Sequence, residues 1–291
     1  MKHKGWITLL VTIISVLSII TTTTGIISSE GPGKYTYTSI RGKQVEIYGK
    51  GVYKDMSAEV APQGIAQDYV TLFIAIPVLL IAFPYACKRS LKAQLIFIGI
   101  LNYFFVTFLF YSVMAMYNRL FPLYIILMGC SFYALILSFS SIGIKNIHER
   151  FSQAFPRKWI ASFLVFNSIA IMLLWLSIII PPLMDGSIVP LQVEHYTTLI
   201  VQAFDLGIFL PGAIISGILF YRGHPIAYFL APVYLIFLSI LMTALTAKVI
   251  GMYILGYNVI PVIFIIPSFA VVSMFSSWLI LKSISPKENS Y

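Results

Sequence analysis

Apolar runs long enough to cross roughly 30 Å of hydrocarbon as helices recur from one end of this chain to the other, separated by short polar or basic turns. A chain built this way has few folds open to it. Only 10% of its residues are charged and 59% are hydrophobic, whereas a soluble domain carries about 25% charged residues. It cannot cover itself in water, and the pattern predicts a polytopic membrane protein.

The runs cover residues 6–27, 69–87, 95–116, 120–142, 159–180, 198–221, 226–252 and 259–281. The expectation is an all-α membrane protein, a single membrane domain over 1–291 with about eight transmembrane helices. The first run follows the basic start "MKHKG" but is too long for a signal-peptide core and lacks a small-x-small cleavage site, so it reads as an uncleaved helix.

The net charge of +9 does not point to nucleic acid, because the basic residues sit in short clusters between the runs. With the N-terminus inside, twelve Lys and Arg fall on the inner side (Lys2, Lys4, Lys88, Arg89, Lys92, Lys145, Arg150, Arg157, Lys158, Arg222, Lys282, Lys287). Seven fall outside, five of them in one long loop. Both termini are therefore expected in the cytoplasm, at a cell membrane. That outer loop, 28–68, contains "KYTYTSIRGKQVEIYGKGVY", which alternates β-formers around "RGK" and reads as a hairpin cap with Tyr35, Tyr37, Val45 and Ile47 packing downward. A solvated tether is the other reading. The inner segment "KNIHERFSQAFPRK" is basic and is expected to lie on an anionic leaflet.

Runs two to four and six to eight share an order of features: an acidic residue (Asp68; Asp205), a proline (Pro77; Pro211), then a tight basic turn ("CKRSLKAQ"; "YRGHPIAY"). This predicts two parallel four-helix repeats, 1–144 and 146–291, related by an axis along the membrane normal. The stretches "VEIYGKGVYKDMS", "QDYVTLFIAIPVLL" and "QAFDLGIFLPGAIISG" with "GHPIAYFLAP" resemble a family of bacterial polytopic membrane proteins that carries no assigned activity. The resemblance runs from about Val45 onward and includes Asp68, Pro77, Asp205, Leu206, Gly207 and Pro211. It implies membrane residence and bacterial origin, and supplies no substrate, cofactor or catalytic residue.

Chemistry inside the runs is sparse. Cys87 and Cys130 form no C-x-x-C, and the four histidines form no metalloprotease motif. No metal site, cofactor or catalytic residue is expected, and an intramembrane enzyme lacks the two convergent reactive groups it needs. Asp205 lies inside an apolar run, where an ionised carboxylate costs about 2.5 to 3.5 kcal/mol at the bilayer centre and calls for a partner or a wet cavity. Two readings stand: a proton or cation site, or a residue tied by hydrogen bonds or held protonated. Lys248, in the outer half of the seventh run, is the candidate partner across the short turn "RGHP", with snorkelling to the headgroups as the alternative.

Gly207 and Pro211 mark a candidate helix break, and Gly212, Ala213, Ser216 and Gly217 offer small-xxx-small spacing for close helix approach. Asp68, taken to lie at the start of its helix, reads as an N-terminal cap. Tyr111 and most other aromatic residues read as interface belts, Asn102 and Asn167 as interhelical hydrogen-bonders, and His195, Glu194 and Asp185 either as a solvated outer loop or as a patch that attracts cations. The function expected is binding or transport of a small solute or ion between the helix halves. The alternative is an accessory or sensor protein that recognises an envelope partner through the outer loop.

Overall fold

The computed structural model describes residues 3–144, 146–152 and 154–285. Lys2, Lys145 and Lys287 of the basic set lie outside the described residues. Eight long apolar helices cross the molecule: α1 (Lys4–Ile27), α2 (Ala61–Cys87), α3 (Leu91–Val113), α4 (Phe121–Phe139), α5 (Arg157–Met184), α6 (Ile200–Arg222), α7 (Ala227–Ile254) and α8 (Val262–Lys282). Together with a small antiparallel sheet they form a multi-pass membrane protein. With eight spans, the start of α1 and the end of α8 lie on one face, opposite the sheet.

The second helix begins earlier than the hydropathy suggests, because "VAPQGIAQ" resembles a loop yet is helical. Pro62 falls in the first turn, where its missing N–H would have had no intrahelical acceptor. Asp68 is thereby moved from the expected cap position to the helix interior.

Helices α3 and α7 are the innermost. In the first half α1 packs on α2 and α4, and α3 on α2 and α4; in the second α5 packs on α6, α6 on α7, and α7 on α8. The halves meet where α7 lies against α2 and α3. Contact between α5 and α8 is light and made by rings, including Trp159 with Phe275 and Phe163 with Phe269.

The cap is ordered. Strands β1 (Tyr35–Thr38) and β2 (Gln44–Ile47) pair Tyr35 with Ile47 and Tyr37 with Val45. Val45 and Ile47 are buried, but Tyr35 and Tyr37 stay exposed, correcting the expectation that all four pack downward. The reason is that β2 is the inner strand, bridged on its far side to Ser57, while β1 is a free edge. The 185–199 loop is not merely solvated: the Arg41 guanidinium donates to the carbonyls of Tyr196 (2.9 Å) and Thr197 (3.0 Å), Lys43 Nζ to that of Leu191 (2.6 Å), and His195 Nε2 lies 3.0 Å from Asp55 O. On the opposite face the segment after α4 is pinned to the end of α8, with Ser152 N–H donating to Ser283 O (2.8 Å) and Ile147 and Phe151 buried.

Candidate functional site

Asp68 is the most enclosed acidic group of the bundle, 1% exposed. Its carboxylate accepts hydrogen bonds from two phenols: Tyr53 of the cap at 2.6 Å to Oδ2, and Tyr111 of α3 at 2.9 Å to Oδ1. The Tyr111 hydroxyl also reaches Gly64 O at 3.1 Å. Helix α1 can pass only because residue 25 is glycine, since a Cβ there would stand 1.9 Å from Asp68 Oδ2. Hydrogen bonds to a charged acceptor contribute roughly 1.5 to 3 kcal/mol each, enough for two of them to offset part of the desolvation cost. Capping is not the role of this residue.

One turn deeper lies a closed ring of neutral hydrogen bonds. The Gln67 amide donates to Tyr103 Oη (2.7 Å), Tyr103 Oη lies 2.9 Å from Thr71 Oγ1, and Thr71 Oγ1 donates back to Gln67 O (2.9 Å). Thr107 closes on the same amide at 3.3 Å, while Gln67 Oε1 is buried without a partner. Sequence reasoning missed these residues, although Tyr103, Thr107 and Tyr111 form an i, i+4, i+8 polar stripe on an apolar helix, matched by Gly64, Gln67, Asp68 and Thr71 on α2.

In α6 the chain adopts a π-helical turn over Asp205–Phe209, and α2 does the same over Thr71–Ala75. Such turns are rare and recur at functional sites. Each is followed by a proline, Pro211 or Pro77, whose missing N–H leaves a carbonyl of the preceding turn without its usual donor. The Tyr234 hydroxyl donates to another carbonyl of the α6 turn, Phe209 O. The same interval separates Thr71 from Asp205, Ala75 from Phe209, and Pro77 from Pro211. In that register Asp205 stands for Thr71, and Gln202 for Asp68.

Asp205 is bonded by the indole of Trp175 on α5, Nε1 to Oδ2 at 2.8 Å. Lys248 is partly buried on α7. It interacts electrostatically with both Asp68 and Asp205, but among the described residues no ion pair within 4.0 Å joins it to either. At 1.5 Å per residue, the three groups lie about 8 to 11 Å below the cap-side ends of their helices. Asp68, Lys248 and Asp205 therefore lie at similar depths below their helix ends, with the lysine within electrostatic reach of both carboxylates rather than closed onto one.

The small residues divide. A Cβ on Gly207 would meet nothing within 4 Å and one on Gly212 only the Tyr234 ring at 3.8 Å, so neither is a site of close helix approach. Gly217 is one: its Cβ would stand 2.7 Å from Val165 Cγ2 and 3.2 Å from Ala161 O. Asn167 is buried, with its Oδ1 unpartnered. No protein family, curated protein or solved structure matches the chain.

Proposed function

We propose that this protein is a membrane carrier that moves a small solute or ion between two four-helix halves, with Asp68, Lys248 and Asp205 as its ionisable site and both termini in the cytoplasm. The observation that carries the reading is three ionisable groups at similar depths below their helix ends, on helices from both halves, none locked in an ion pair within 4.0 Å among the described residues. Ionisable groups held inside a membrane and not neutralised by a close partner are candidates for binding or relaying charge. The paired π-turns and the matching order of helix neighbours support taking the halves as parallel repeats.

The test is flux. Purified protein in liposomes holding a pH-sensitive dye, or a sodium-sensitive one, is given a potassium diffusion potential. Wild type accelerates proton or sodium movement over empty liposomes, and Asp205→Asn and Lys248→Met each suppress it. Wild-type rates equal to those of empty liposomes for both ions remove the ion-coupled reading. That result favours the second one, a sensor that meets its partner at the cap, where Ile40 at the hairpin tip is 86% exposed.

A further inference from the structure

Tyr53 is the one residue of the cap that reaches the Asp68 carboxylate, and it enters through a slot built for it. Its ring lies over Gly64, where a Cβ would stand 3.1 Å from Cε1, and its hydroxyl lies beside Gly25, where a Cβ would stand 3.1 Å away. Tyr111 closes the third side, edge-to-face with Tyr53 at 6.5 Å between ring centroids. Two glycines and a tyrosine on α1, α2 and α3 thus leave a channel one phenol wide. It leads from the cap face to the carboxylate, and a loop residue fills it. Burial, reinforced by the Asp68 carboxylate, pushes the Tyr53 phenol well above its ordinary range, so it remains a donor.

The turn that bears Tyr53 (Gly51–Tyr53) hangs from the end of α1: Val52 N–H donates to Ser28 Oγ (2.9 Å) and Gly51 N–H to Glu30 O (2.6 Å). The other side of the cap grips the 185–199 loop through Arg41, Lys43 and the Tyr196 hydroxyl, which accepts from Ser57 N–H at 3.2 Å. The two carbonyls held by Arg41 belong to Tyr196 and Thr197, just before α6 begins at Ile200, the helix that carries Asp205. One small sheet is therefore tied at one end to the carboxylate of the first half and at the other to the helix start of the second.

We propose that Tyr53 is a removable stopper in the cap-side entrance to Asp68, and that the Arg41 and Lys43 bonds to the 185–199 loop hold it shut. A cation or proton arriving from the cap face reaches Asp68 only when the cap lifts, and lifting breaks bonds to the segment that leads into α6. This rests on the carrier reading for the use made of the entrance, but its test does not depend on flux.

Proteoliposomes are treated with a water-soluble carbodiimide and a glycine ester, and carboxyl labelling is read by mass spectrometry, with the exposed Glu30 as internal standard. In wild type Asp68 labels slowly relative to Glu30. Tyr53→Gly opens the slot directly and raises Asp68 labelling. The decisive variant is Arg41→Ala with Lys43→Ala, which leaves the slot lining intact and loosens only the distant grip. It is expected to raise Asp68 labelling about tenfold by favouring local opening. Labelling unchanged in that double variant, with Glu30 unaffected, overturns the strap, and labelling unchanged in Tyr53→Gly overturns the entrance. If labelling responds but no ion flux is seen in wild type, the gate stands and the carrier reading fails.

Discussion

A Cβ placed on Gly99 of α3 would stand 3.1 Å from the carbonyl oxygen of Val233 on α7 and 2.6 Å from Cγ2 of Ile236, so the two central helices touch backbone to backbone. Gly99 and Val233 are separated by the interval that also separates the two π-turns, so under the proposed repeat they are corresponding residues, and they meet in the middle of the bundle. That contact is where a pseudo-twofold axis would run. Gly99→Ala should force the helices apart and cost about 1 to 3 kcal/mol by overpacking. Gly129→Ala on α4, where a Cβ meets nothing, should be neutral or slightly stabilising. Unfolding midpoints in detergent check both, and equal midpoints for the two variants contradict the close approach.

The Asp68 chamber makes a coupled prediction. Tyr53→Phe and Tyr111→Phe each remove one hydrogen bond to the carboxylate, and each should destabilise by roughly 1.5 to 3 kcal/mol if the acceptor is charged. In an Asp68→Leu background the same changes should cost much less, because the acceptor is already gone. A double-mutant cycle measures the difference, and additive losses would show that the phenols stabilise through packing alone.

Beyond the membrane, Glu59 faces a cavity of about 240 Å³ shared with Lys43, Glu46, Glu194 and Tyr257. Burial, then the neighbouring Glu194 carboxylate, raises its carboxyl above the ordinary value, against a smaller lowering by Lys43. A raised carboxyl means that the folded cap binds more protons than the unfolded one, so cap stability is greater below that raised value and declines as pH climbs through it. Hydrogen exchange over residues 28–59 should be slower at about pH 5 than at about pH 8, after correction for intrinsic rates, and Glu59→Gln should flatten the dependence. A dependence of equal size in Glu59→Gln assigns the effect to another group.

Membrane residence, the number of spans and the hairpin could be read from the sequence because each rests on a local pattern: apolar length for the helices, alternation around "RGK" for the strands. The α2 boundary could not, because Pro62 and Gly64 are loop residues by composition and become tolerable only in a first turn and against the Tyr53 ring. That displacement misassigned Asp68. Tyr111 was hidden for a related reason, since a tyrosine near a helix end has the same sequence signature whether it faces headgroups or a carboxylate. Asp205 was recognisable as anomalous, but its partner Trp175 lies thirty positions away on another helix, and only packing brings them together.

The Trp175 indole bond provides a means of learning what Asp205 is. Asp205→Asn keeps an oxygen that can accept from Nε1 and removes the charge, while Trp175→Phe keeps the charge and removes the donor. If Asp205 is a neutral tie, Trp175→Phe should cost about 0.5 to 1.5 kcal/mol, the range for an ordinary hydrogen bond, and Asp205→Asn should be close to silent in both stability and flux. If Asp205 is ionised and serves the carrier, Trp175→Phe should cost about 1.5 to 3 kcal/mol, and Asp205→Asn should preserve folding while stopping ion movement. Lys248→Met separates the cases further. Removing the cation that interacts with Asp205 destabilises a charged carboxylate, and that loss should shrink in the Asp205→Asn background. Unfolding midpoints of the three single variants and the Lys248→Met/Asp205→Asn double variant, measured beside flux on the same preparations, decide between them: a stable, flux-competent Asp205→Asn protein leaves Asp205 a structural tie.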